Sequence, residues 1–274
     1  MVSVGFTEQV WQSRDFLRSY NLNTVMKYCE IITESIGTKE LYQTTYPAVL
    51  DAFKNVAKKV GLEKKEGEYW MGDVITAVQD TLEPIFKDEI GGKLDAITDN
   101  LFFVVKVSDA EHVGGGIRSP GNGNLIVTME MPKKWFDSSP NMFFYIIRDN
   151  GKRMANELTA SFIHEILHLE QKFRRGFIGA GSADPDGTKY LSHPDEIEAQ
   201  AVNTALELIH WAGGDAAKAL SWFRKSTTES MKNLGMGISP HLGSAFHNLR
   251  KQNPRAWNRY LKAVVRCLGE HANQ

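Results

Sequence analysis

Apolar residues recur three and four positions apart through most of this chain, and the places where that spacing stops divide it into elements. From Thr7 to about Ile90 the spacing predicts three or four helices, with Gly37, Gly61, Gly67 and Gly72 as the breaks. Two later stretches depart from it. Leu101-Phe-Phe-Val-Val-Lys-Val and Asn124-Leu-Ile-Val-Thr-Met-Glu-Met, the second ending at Pro132, are short, aromatic and β-branched, and both predict strands. Between them, Ser108 to Gly123 holds Gly114-Gly-Gly and Pro120-Gly-Asn-Gly. No Gly-Lys-Ser/Thr follows, so the expectation is a flexible hairpin loop, not a phosphate cradle.

Helical spacing resumes after a predicted break at Asp149-Asn-Gly and covers about Lys152 to Phe173. A turn-rich stretch from Arg174 to His193 carries four glycines and Pro185. The next helix is expected from Pro194 to about Trp211, with Ser192 placed to cap it and Asp195 and Glu196 favouring the positive end of its dipole. After Gly213-Gly-Asp, three further helical segments are expected near 215–233, 240–252 and 254–269. The pattern specifies a mainly α protein with a small β-sheet, an α+β fold without internal repeats. The expected division is a helical region over 1–98 and a core with carboxy-terminal helices over 99–274.

Composition narrows the partners. With 274 residues and a formal net charge of −1, no global field draws the chain to nucleic acid or to an anionic membrane. Six cations between Leu249 and Arg266 (Arg250, Lys251, Arg255, Arg259, Lys262 and Arg266) have Trp257 and Tyr260 interleaved. Solvated faces of two amphipathic helices account for them, and no nucleic-acid partner is expected. Phe143-Phe-Tyr-Ile-Ile is expected in the core. Cys29 and Cys267, far apart in sequence, supply no metal-binding cluster. The amino terminus lacks a basic segment followed by an apolar run, and there is no apolar run of membrane-spanning length. The expectation is a soluble, cytoplasmic protein with no membrane partner, and the pattern specifies no oligomeric state.

The candidate chemistry sits in one pentapeptide. Residues 164–168 read His-Glu-Ile-Leu-His, the HExxH pattern, inside the predicted helix 152–173. Residues four apart on a helix lie about 40° from each other around its axis, so both imidazoles can reach one metal ion. The intervening glutamate can hold a water at that ion. On a helical wheel Met154, Leu158, Phe162, Ile166, Leu169 and Phe173 form one apolar stripe. His164 and His168 fall nearly opposite, beside Ala160, Ser161, Glu157 and Gln171, with Ile163 and Leu167 bridging the faces. A helix of this pattern is expected to be buried on most sides, with the histidines turned to an internal cleft. Neutral imidazoles suit Zn²⁺, which in catalytic sites takes three protein ligands.

The HExxH helix resembles that of the zincin metallopeptidases. Metzincins carry a further histidine in HExxHxxGxxH, where this chain has Gln171 and Arg174, and the aspartate-ligand class follows with Gly-Thr-x-Asp, where Gly187-Thr188 is followed by Lys189 and Tyr190. The resemblance is to the glutamate-ligand class, the gluzincins, in which a second helix downstream supplies the third ligand. Here that segment is Tyr190-Leu-Ser-His-Pro-Asp-Glu-Ile-Glu-Ala-Gln-Ala. Glu196 shares a face with Ala199, Gln200 and Asn203, and has Ala199 in the place where such families keep a small residue. Glu198 shares the packing side with Val202, Ala205 and Ile209; it and Asp195 stay open as alternatives. Gln200 stands where those families often have Asp.

The resemblance implies a zinc-dependent peptidase acting on a peptide or protein substrate. His164, His168 and Glu196 would bind Zn²⁺, and Glu165 would be the general base that later returns a proton to the leaving amine. Tyr190 and His193 are the candidate oxyanion donors, with Arg174 and Arg175 available by position. The strand Asn124 to Met131 stands in the order of elements where zincins have the strand that pairs with substrate. The alternative is a non-catalytic interaction or structural protein that keeps a zincin-like fold.

Overall fold

The computed structural model describes residues 38–63, 69–91, 101–110, 113–118, 124–136, 140–174 and 191–273. Thr7 to Gly37, Gly67, Arg175 and Tyr190 lie outside the described residues. The chain divides into two compact units, Met1–Gly179 and Ala180–Gln274. The expected α+β class holds: eight α-helices and one three-stranded sheet among the described residues.

In the first unit, helices α1 (Thr38–Glu63) and α2 (Tyr69–Gly91) precede β1 (Leu101–Ser108), β2 (Gly114–Arg118) and β3 (Leu125–Pro132), and helix α3 (Pro140–Arg174) follows. Gly61 and Gly72 are helical rather than breaks. Sheet order is β1-β3-β2. β1 and β3 run parallel, from Leu101 opposite Leu125 to Ser108 opposite Pro132, whereas β2 runs antiparallel to β3, from Gly114 opposite Glu130 to Arg118 opposite Ile126. Two expectations are corrected here. The loop between the predicted strands contains a third strand, and Asn124 to Met131 is the middle of the sheet, not an edge. Glycine is poor at forming strands, so Gly114-Gly-Gly gives no sequence signal; pairing with β3 supplies the hydrogen bonds that its propensity does not.

α3 is one helix of 35 residues. The predicted break at Asp149-Asn-Gly is helical interior. A Cβ at Gly151 would meet Ile147 Cγ2 of its own helix tightly, at 3.2 Å, and Leu50 Cδ1 of α1 at an ordinary 3.8 Å, so this glycine sits buried inside the helix beside α1 instead of ending it. The stripe Met154, Leu158, Phe162, Ile166 and Leu169 is buried. Phe162 meets Phe103 edge-on at 5.7 Å between ring centroids, and Phe86 at 6.4 Å, so α2, β1 and α3 share one aromatic wedge two residues from His164. Tyr42 on α1 donates a hydrogen bond to Asn156 Oδ1 on α3. These contacts fix the rotation of α3 and hence the direction in which the histidines point.

The second unit holds α4 (Pro194–Trp211), α5 (Ala216–Lys225), α6 (Thr228–Gly237), α7 (Pro240–Leu249) and α8 (Pro254–Ala272). The segment expected as one helix near 215–233 is two, because Thr227 accepts from Ser230 N and starts a new helix. Asp215, Ser239 and Asn253 cap α5, α7 and α8 in the same way. The cap of α4 is His193, whose side chain accepts from Asp195 N, and not Ser192; Pro194 takes the first-turn position as expected. Gly213 and Gly214 close the end of α4 at φ of 78° and 89°, values that side chains with a Cβ rarely adopt. Trp257 and Tyr260 are buried in this unit's core with Leu208, Phe223 and Val264, so the aromatic residues between the basic ones face inward. Burial pushes the Cys267 thiol up to about 11. No described helix is long and apolar enough to cross a membrane.

Candidate metal centre

His164 and His168 project from α3 with their rings perpendicular and 4.4 Å apart between centroids. That is the arrangement expected of two imidazoles one helical turn apart that converge on a common point. His164 and Glu165 are buried, with relative exposures of 7% and 6%. His168 Nδ1 lies 2.8 Å from Gln171 Oε1. Since an amide oxygen accepts, the proton sits on Nδ1, and Nε2 presents its lone pair for a metal.

Glu196 is in the first turn of α4 and 2% exposed. Its Oε1 accepts at 2.9 Å from Nε2 of Gln200, one turn further along the helix. One ligand atom from each of His164, His168 and Glu196 lies within 4.8 Å of the other two. Metal–ligand bonds of about 2.0–2.2 Å in tetrahedral geometry would separate ligands by about 3.3–3.6 Å. Two imidazoles and a carboxylate, with His168 and Glu196 each hydrogen-bonded to a glutamine, make a donor set suited to a divalent metal.

Glu198 is elsewhere. Its side chain is half exposed and pairs with Arg266 Nη2 at 3.1 Å, so the expectation that it faces the packing side is corrected. Asp195 lies 3.7 Å from His193 Nδ1, at the cap of α4. Because His193 Nδ1 accepts from Asp195 N at 3.3 Å, the neutral ring carries its proton on Nε2.

Three contacts between α3 and the β2 segment were not expected from the sequence. The first is Gly115, where a Cβ would lie 2.5 Å from Glu165 Cγ and 2.7 Å from its Oε1, so β2 passes against the glutamate with no room for a side chain. The second is Lys172, one turn beyond His168, whose Nζ donates to the Ile117 carbonyl at 3.3 Å. Burial lowers its pKa, partly offset by the attraction of Glu165. The third is Glu157, whose Oε1 accepts from Val113 N at 3.1 Å. The i, i+4, i+8 spacing of His164, His168 and Lys172 is visible in sequence; contact with β2 is not.

Comparison of the chain with protein-family models, with curated proteins and with solved structures finds no match. The positive finding is therefore local: a buried His164, His168 and Glu196 group that could hold a metal ion.

Proposed function

We propose that the chain is a zinc-dependent peptidase of gluzincin type. The observation that carries this reading is the His164, His168 and Glu196 group, on a helix that also carries buried Glu165 next to one ligand. Zinc bound there would act as a Lewis acid, making a water acidic and polarising a carbonyl. Glu165 takes a proton from the attacking water and returns it to the leaving amine. Gly115 admits the Glu165 carboxylate directly against β2, which holds it in one orientation. Tyr190 and His193 are assigned to the developing oxyanion; the capping bond that places the His193 proton on Nε2 makes that ring a donor.

Two measurements on the whole chain test the proposal. Elemental analysis should find about one zinc per chain, and a mixed peptide library should be hydrolysed by wild type. Glu165→Gln should keep the metal and lose at least about 10²-fold in rate. Metal-free protein after zinc exposure, or equal hydrolysis by both forms, would overturn it.

A further inference from the structure

The outer edge of β2 is bounded at both ends by charged side chains of α3. Val113 N–H is taken by Glu157 and the Ile117 carbonyl by Lys172. In an antiparallel pair, alternate residues turn both main-chain groups towards the neighbouring strand or away from it. Val113 and Ile117 each spend an outward group on α3, which puts Gly115, midway between them, on the same outward edge. Among the described residues, the groups left between the two side chains are the Val113 carbonyl, the Gly115 N–H and carbonyl, and the Ile117 N–H. From Val113 to Ile117 this window is about 13 Å long, at roughly 3.3 Å per residue. Gly115 is exposed, and Glu165 packs against its Cα at the centre of the window.

We infer that the site takes short peptides of about four to five residues, because Glu157 and Lys172 stop a longer chain from adding to β2 as a continuous fourth strand. This limit rests on the peptidase reading. An extended substrate normally gains affinity from a run of main-chain bonds along a sheet edge, with side-chain pockets adding specificity. Here the run is cut at both ends. Glu157 is 8% exposed, and its carboxylate is committed to a backbone N–H. The Lys172 ammonium is drawn inward by Glu165 as well as by the Ile117 carbonyl. Displacing either costs a charge-assisted hydrogen bond, which short substrates need not break.

The test uses the zinc-loaded full chain and random peptide libraries of about four, eight and twelve residues. Wild type should cut the shortest set at least about tenfold faster in kcat/KM than the longest, and Glu157→Ala and Lys172→Met should each narrow that ratio. Amide exchange at Val113 should be slow in wild type and faster in Glu157→Ala, a change that does not depend on turnover. Cleavage without length preference would overturn the length limit and leave the peptidase reading standing. Unchanged exchange at Val113 would remove its structural cause. No cleavage of any length by metal-loaded protein would overturn the peptidase reading and the limit with it.

Discussion

Glu196 and Glu198 are two residues apart, and their environments could hardly differ more. Glu196 is buried with a glutamine on one oxygen, and Glu198 pairs with an arginine at the surface. Removing the first should therefore remove a ligand, and removing the second only an exposed ion pair of about 0–1 kcal/mol. Glu196→Ala is expected to lose bound metal by elemental analysis, while Glu198→Ala keeps it with an almost unchanged melting temperature. Equal metal loss in both would sink the assignment of the third ligand. The two histidines and Glu165 were legible because HExxH spacing encodes their geometry directly. The choice of glutamate was only half legible: a helical wheel gives the face on which each carboxylate lies, but not the Arg266 that makes exposure of Glu198 favourable.

At the scale of elements, β2 carries the largest difference between expectation and structure. Three consecutive glycines read as loop because their own preferences disfavour a strand; β3 overrides those preferences by pairing. The same missing Cβ atoms that hide the strand let it approach Glu165. Gly115→Ala should be accommodated by turning the whole Glu165 side chain about its Cα–Cβ bond, because the nearest atom met by the new methyl is Cγ, followed by Oε1. On the proposed peptidase reading it should nevertheless lower kcat by about 10²-fold, because Glu165, the proposed base, is what rotates. Normal metal content and melting temperature with reduced kcat would bear this out; wild-type kcat would refute it. α3 illustrates the opposite error. Gly151 and its Asp-Asn neighbours carry a turn signature, yet α3 runs through them as one continuous helix with Gly151 buried.

For the whole molecule, a metal held by the group around His164 would link binding to stability. A site that forms only in the folded chain raises folding free energy by RT ln(1 + [L]/Kd), about 2.7 kcal/mol when free metal is a hundred times Kd. Adding zinc to metal-free protein should raise the melting temperature in a concentration-dependent way, and His168→Ala should abolish the rise. A melting temperature independent of zinc would count against a metal centre. Strong binding by the unfolded chain would shrink the shift without removing it, because His164 and His168 are neighbours in sequence and Glu196 is not.

By itself the sequence determined the α+β class, the limits of β1, β3 and α4, the buried stripe of α3 and the histidine pair. Each depends on periodicity or on local chemistry within a few residues, which a one-dimensional pattern records. Tertiary structure decided what depends on neighbours distant in the chain: that Gly114 to Arg118 is a strand, that β3 is central, that α3 is unbroken, and that Lys172 and Glu157 reach the edge of β2. In each of these cases pairing or packing from another segment outweighs the local preference, so the deciding interaction is absent from the stretch of sequence it controls.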